Sequence, residues 1–253
     1  MPDGLILGSL GSGWDLVWLT GAILAAGLVR GFAGFGSAMI IMPAAASVLS
    51  PFAALTFLVV VEIVGPLPNL RNALRTGALR DAGRLIGGAA LALPLGLLAL
   101  SAMAPEVFGW LVSLTVLALL VLLMIGWRYP GEMTPPLVLG AGGLGGFLAG
   151  VSGMPGPPVI MLYMASRQAI SVIRANFLLY LLSVDLMMIG WFWLMGELRW
   201  GPVVLGLVLM LPYMAANMAG ARLFDPANER KFRAVAYVVI ACSAILGLPV
   251  WKG

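Results

Sequence analysis

The chain contains no histidine and one cysteine, Cys242, and only 9% of its 253 residues are charged. Without histidine or paired cysteines, the usual ligands of zinc, haem, copper and iron–sulfur clusters are missing, so no metal and no cofactor is expected. Disulfides and Cys–His nucleophiles are excluded as well, and Cys242 reads as a small apolar residue on a buried helix face. A soluble domain of this size carries about a quarter charged residues and could not cover its surface with so few. The N-terminal stretch MPDGLILGSLGSGWD has acids and no basic region, unlike a cleaved signal peptide.

What the chain has instead is apolar length. Hydrophobic residues make up 62% of it, with 33 glycines and 17 prolines that mark breaks in helices. The expectation is an all-α polytopic membrane protein, with the bilayer as part of its solvent. The apolar windows of the first half are Leu16–Val29, Phe35–Ser50, Phe52–Leu70, Leu85–Met103 and Val107–Trp127. Those of the second are Pro136–Val151, Met154–Ser166, Ala175–Met195, Trp200–Ala221 and Ala234–Trp251. The last three of each half come near the ~20 residues that cross a bilayer. The first two of each half are shorter and are separated by glycine-rich stretches. The eight tryptophans mostly flank these segments, as an aromatic belt does.

The halves, 1–130 and 131–253, superpose at an offset of about 119 residues. GLVRGFAGFGSAMIIMP, from Gly27, falls on GFLAGVSGMPGPPVIML, from Gly146, so that Gly31 meets Gly150 and Gly34 meets Gly153. Leu79-Arg80 meets Leu198-Arg199, and Leu93-Pro94 meets Leu211-Pro212 with one residue of slip. The repeated order of features indicates duplication. Net charge is +4, and the basic residues sit between apolar segments, as topology signals rather than a nucleic-acid patch. Arg71, Arg75, Arg80 and Arg84 cluster in the first half; Arg222, Arg230, Lys231 and Arg233 cluster in the second. If both clusters are cytoplasmic, Arg128, Arg167 and Arg174 fall on the same side, which gathers eleven of the 14 basic residues there. This requires two repeats of five segments in inverted topology and places both termini outside. The broken first segments then form hairpins whose breaks approach each other near the midplane, whether they span fully or re-enter.

Inverted repeats with Gly/Pro-interrupted segments point to a transport site at the breaks, where exposed N–H groups and helix N-termini favour anions. Arg30 lies in the first break, in AAGLVRGFAGFG, and a buried arginine fork suits a carboxylate, sulfite or sulfonate group. Its counterpart is Ala149. Ser37 and Ser152 can donate to an anion or bond their own helix backbones. Gly31, Gly34, Gly36, Gly153 and Gly156 can bring backbone close to a ligand or allow close helix packing. Two acids lie mid-span, Glu62 and Asp185, as proton relays or partners of a buried cation. Arg174 and Asn176 open the eighth segment and can line the inner mouth of an anion path. With no histidine and no clustered acids, an enzyme is not expected; GVSGMPG lacks the strand–turn–helix setting of a serine nucleophile.

The two glycine-rich motifs, together with RANFLLY from Arg174 to Tyr180, resemble the sulfite exporter TauE/SafE family over roughly residues 15–250. The first motif departs from the family's pattern at Ala33 and Ser37, where many members have glycine. The resemblance implies secondary transport, usually export, of a small sulfur-containing anion: sulfite, sulfoacetate or another organosulfonate. Arg30 would fit as the anion contact, in a multi-pass protein of the bacterial inner membrane. A passive anion channel and a transporter of other small organic acids are the alternatives. The expected partners are the anion and the lipid bilayer, with no nucleic acid; proton coupling and a homodimer stay open.

Overall fold

The computed structural model describes residues 13–126, 133–163, 166, 168–225 and 228–252. Helix accounts for 86% of the described residues, and no strand forms among them. The helices are α1 (Gly13–Ala33), α2 (Ser37–Val48), α3 (Pro51–Glu62), α4 (Leu70–Thr76), α5 (Leu79–Ser101) and α6 (Pro105–Ile125). They continue with α7 (Pro135–Ser152), α8 (Gly156–Tyr163), α9 (Ile170–Leu194), α10 (Trp200–Leu223) and α11 (Glu229–Leu246). Six of these are long and apolar enough to cross a membrane: α1, α5, α6, α7, α9 and α10. The protein is therefore a multi-pass helical membrane protein, as its composition requires. The topology markers Arg128 and Arg167, and the belt residue Trp127, lie outside the described residues.

Several expectations are corrected. The opening segment of each half is full length rather than short, because α1 and α7 continue through their glycines for 21 and 18 residues. Only the second member of each pair is short, with 12 residues in α2 and 8 in α8. The third segment, expected as one span over Phe52–Leu70, is broken. α3 ends at Glu62, and the chain resumes at Leu67 bent by 48°. Gly65, Pro66 and Pro68 explain the break, since proline supplies no N–H to continue the ladder. Cys242 is exposed on α11 rather than buried. Its neighbour Ser243 takes the inner position and donates to the Ile40 carbonyl at 2.7 Å.

The chain forms two compact units, and each draws on both sequence halves. The first combines residues 1–62, 104–124 and 197–253. Within it α1 packs along α10, α3 packs on α10, and α2 lies among α1, α3 and α11. The α1–α10 seam is made by glycine: a Cβ at Gly27 would come 2.6 Å from the Tyr213 carbonyl, and one at Gly31 or Gly220 would overlap the opposing backbone. The Tyr237 hydroxyl donates to the Leu123 carbonyl at 3.4 Å and ties α11 to α6.

The second unit combines residues 63–103 and 125–196. Here α7 packs along α5, and α9 packs on α4, α5 and α8. The α5–α7 seam is again glycine on backbone: Gly88 meets Leu139, Gly142 meets Leu85, and Gly146 meets Ala89. Gly27 and Gly31 of α1 thus do the same work as Gly146 and Gly150 of α7, at the spacing of the repeat. In each unit the first helix of one half packs on the helix of the other half's fourth apolar segment.

Candidate functional site

The first unit contains a polar cluster where α1 gives way to α2. Arg30 lies in the last turn of α1, not in the break itself; the helix runs on to Ala33 and closes with Gly34 N–H on the Arg30 carbonyl at 2.8 Å. Gly34 and Gly36 then take φ of 79° and 93°, left-handed values that cost an L-residue roughly 1–2 kcal/mol. The reversal brings Ser37, the first residue of α2, back against Arg30. Arg30 Nη1 donates to Ser37 Oγ at 2.8 Å and to Glu62 Oε1 at 2.9 Å. The Ser37 hydroxyl donates to the same Glu62 oxygen. From α10, the Tyr213 hydroxyl reaches it at 3.5 Å and also faces Ser37 and Asn217.

Three side chains from three helices therefore converge on one carboxylate oxygen supplied by a fourth. Glu62 is not mid-span: it is the last residue of α3, at the bend, with 14% of its side chain exposed against 23% for Arg30. Ser37 is 2% exposed. The N-terminus of α2 lies at this cluster with Gly36 as its cap, a residue with no side chain to accept from the helix's first amides. Free N–H groups at a helix start, beside a partly exposed guanidinium, form an anion-attracting surface.

The equivalent junction lies in the second unit. α7 closes with Gly153 at φ 73°, its N–H on the Ala149 carbonyl at 2.9 Å, and Met154-Pro155 leads into α8. Gly34 and Gly153, matched by the repeat, share the left-handed conformation. The side chains differ completely. Ser152 is buried and donates to the Leu148 carbonyl of its own helix at 2.9 Å. Gly156 packs on the Phe177 ring. Pro157 and Pro158 carry no N–H, so α8 offers fewer amide donors at its start. Two polar contacts here join uncharged groups: Asn176 Nδ2 donates to the Tyr163 hydroxyl at 3.0 Å, and the Tyr180 hydroxyl to the Gly142 carbonyl at 3.2 Å. Arg174 is exposed on α9, two residues before the fully buried Asn176. Asp185 is half-buried further along the same helix. No group of three or more metal-binding side chains occurs among the described residues.

The family model described as Sulfite exporter TauE/SafE matches residues 19–246, from the middle of α1 to the end of α11. The chain belongs to the sulfite exporter TauE/SafE family. No curated protein and no solved structure matches it. Membership makes this TauE/SafE protein a membrane transporter of the sulfur-anion exporter type.

Within the TauE/SafE protein, Arg30, Gly34, Gly36, Ser37 and Glu62 are brought together in the first unit, while Ser152, Gly153, Gly156, Arg174, Asn176 and Asp185 lie in the second. Gly31 serves the helix seam, where a Cβ would overlap the Asn217 carbonyl. Tyr213 joins the cluster without having been singled out in the sequence. Its one signal there is a hydroxyl following proline in an otherwise apolar helix, LMLPYMA.

Proposed function

We propose that this TauE/SafE-family protein is a secondary transporter that exports a small sulfur-containing anion, sulfite or an organosulfonate such as sulfoacetate, with Arg30 as the anion contact. The observation that carries the proposal is the charged cluster itself: an arginine, a glutamate and two hydroxyls at a helix break in a chain that is only 9% charged. Intramembrane ionisable groups are costly and mark substrate or ion pathways. A sulfonate presents three oxygens to donors, and Arg30, Ser37, Tyr213 and the first amides of α2 supply donors of that kind. Residues from both halves build the cluster, since Arg30, Ser37 and Glu62 precede residue 130 and Tyr213 follows it. A site shared by two repeats is what alternating access between repeats requires.

The exposed arginines Arg71, Arg75 and Arg80, together with Arg222, Arg230, Lys231 and Arg233, support a cytoplasmic placement of both clusters. With that placement both termini would lie outside a bacterial inner membrane and the two repeats would be in inverted topology.

The test is counterflow of labelled sulfite and sulfoacetate in proteoliposomes. A carrier shows saturable uptake stimulated by unlabelled anion on the far side, and Arg30→Gln abolishes it. Flux without that stimulation identifies a channel. Native counterflow that Arg30→Gln leaves intact removes Arg30 from the site.

A further inference from the structure

We propose that the corner where α4, α5 and α9 meet binds an anionic phospholipid, with Arg71, Arg75, Arg80 and Arg174 on its phosphate and the exposed leucines among them on its acyl chains. This lipid site lies in the second unit and does not depend on which anion is carried.

The corner is built on small apolar residues. Ala73 of α4, Ala82 of α5, and Ala175 and Leu179 of α9 form one buried cluster, with Leu70 and Leu178 packed against it. Ala82 lies in the first turn of α5, and Ala175 in the second turn of α9. Both helices are long and apolar enough to cross a membrane. The two spans therefore begin side by side at one level, with α4 against them. A span begins where the bilayer presents its headgroups.

Arginines surround this cluster. Ala73 faces inward, so Arg71 and Arg75, four residues apart, share the outer side of α4. Arg80 lies two residues before Ala82, and Arg174 immediately before Ala175. All four are exposed, and none pairs with an acid among the described residues. The acid nearest in sequence, Asp81, has both oxygens engaged elsewhere: Arg84 Nη1 donates to Oδ1 at 2.9 Å and Gln168 Nε2 to Oδ2 at 3.1 Å. Residues 67–84 and 170–179 together hold five arginines and one acid, a net charge of +4. The other basic cluster, over 222–233, is diluted by Asp225 and Glu229.

The leucines identify the anion as a lipid. Leu67, Leu74 and Leu79 are 48%, 50% and 55% exposed, and they alternate along the chain with the arginines. A free phosphate would occupy the arginines and leave these side chains in water. A phospholipid satisfies both sets: guanidinium forks take the phosphate oxygens, and the leucines meet the acyl chains. A helix that mixes arginine and leucine on one exposed side suits the boundary between headgroups and hydrocarbon.

The experiment offers the full-length protein, in neutral detergent, equal amounts of phosphatidylglycerol and phosphatidylcholine with the same acyl chains. Native mass spectrometry counts the lipid that stays bound. Wild type should retain phosphatidylglycerol in preference. Arg71→Gln/Arg75→Gln should lower that preference by about tenfold while the protein stays monodisperse, and Leu74→Ser should lower it by a smaller factor. Arg222→Gln/Arg230→Gln removes the same charge from the other cluster and should leave the preference as it was. Equal retention of the two lipids by wild type overturns the proposal without using any variant. So does an undiminished preference in Arg71→Gln/Arg75→Gln, or an equal loss in the control pair, which would make net charge the cause. Displacement of the lipid by glycerol phosphate or inorganic phosphate would show a soluble-anion site instead.

Discussion

The two helix junctions share a backbone and little else. In both, a long helix ends on a left-handed glycine, Gly34 or Gly153, and a short helix follows. In both, glycines at the same repeat spacing seat the long helix on the helix of the other half's fourth apolar segment. Yet the residues matched to Arg30, Ser37 and Glu62 are Ala149, Gly156 and Leu181, none of them able to carry charge or donate from a side chain. The two junctions share backbone geometry but not side-chain chemistry. The matched positions of the second junction carry no charge, and the Asn176–Tyr163 bond lies beside them.

The largest expected effect tests the shared frame. Gly31→Val and Gly88→Val each push a side chain into opposing backbone, at the Asn217 and Leu139 carbonyls. Each should cost about 3 kcal/mol and should sharply lower the monodisperse yield in detergent, whereas Gly21→Ala, with open space around it, should change nothing. A sharp loss in one unit only would show that the two seams are not equivalent. Next comes Arg30→Gln, which leaves Glu62 without its cation. Because both groups are partly exposed, a loss of roughly 2 kcal/mol is expected rather than the full cost of a buried pair. Adding Glu62→Gln should recover most of that thermal stability and none of the counterflow. Asn176→Ala, in the neutral junction, should cost about 1 kcal/mol through its bond to Tyr163. Its KM for the anion should match wild type; a raised KM would place a second anion contact in that unit. The smallest effect belongs to Ser152→Ala, within about 0.5 kcal/mol, since its hydroxyl only bonds its own helix. Ser37→Ala in the same assay should weaken uptake.

Much of this comparison was readable from the residues. The apolar windows located the helices, and the offset pairing Gly31 with Gly150 and Gly34 with Gly153 marked positions that the structure uses for close packing and for left-handed turns. Arg30, Ser37 and Glu62 stood out as polar residues in apolar surroundings. What failed was assigning each glycine one meaning. Gly31 looks like a breaker beside Gly34 and Gly36, but it works within the helix as a contact surface, so Arg30 was placed in a break one turn too early. The Gly65-Pro66-Leu67-Pro68 run announces the bend that puts Glu62 at a helix end, but apolar length outweighed it in the reading. Tyr213 is 151 residues from Glu62, and nothing local says that α10 will lie against α3. Similarity between halves likewise says nothing about which helix packs on which, so the mixed make-up of the compact units could not be foreseen.

That mixed make-up has a consequence for how the protein is made. The seam of the second unit joins Gly88 to Leu139, about 50 residues apart, and every segment of that unit precedes residue 197. It can assemble while the ribosome is still at work. The first unit cannot: Gly31 waits for Gly220, about 190 residues later. At a synthesis rate of roughly 5–20 residues per second, Arg30 and Glu62 spend on the order of 10 to 40 seconds in the membrane before Tyr213 exists. During that interval the pairing of Arg30 with Glu62, which needs nothing from the second half of the chain, offsets part of the cost of two ionisable groups among apolar helices.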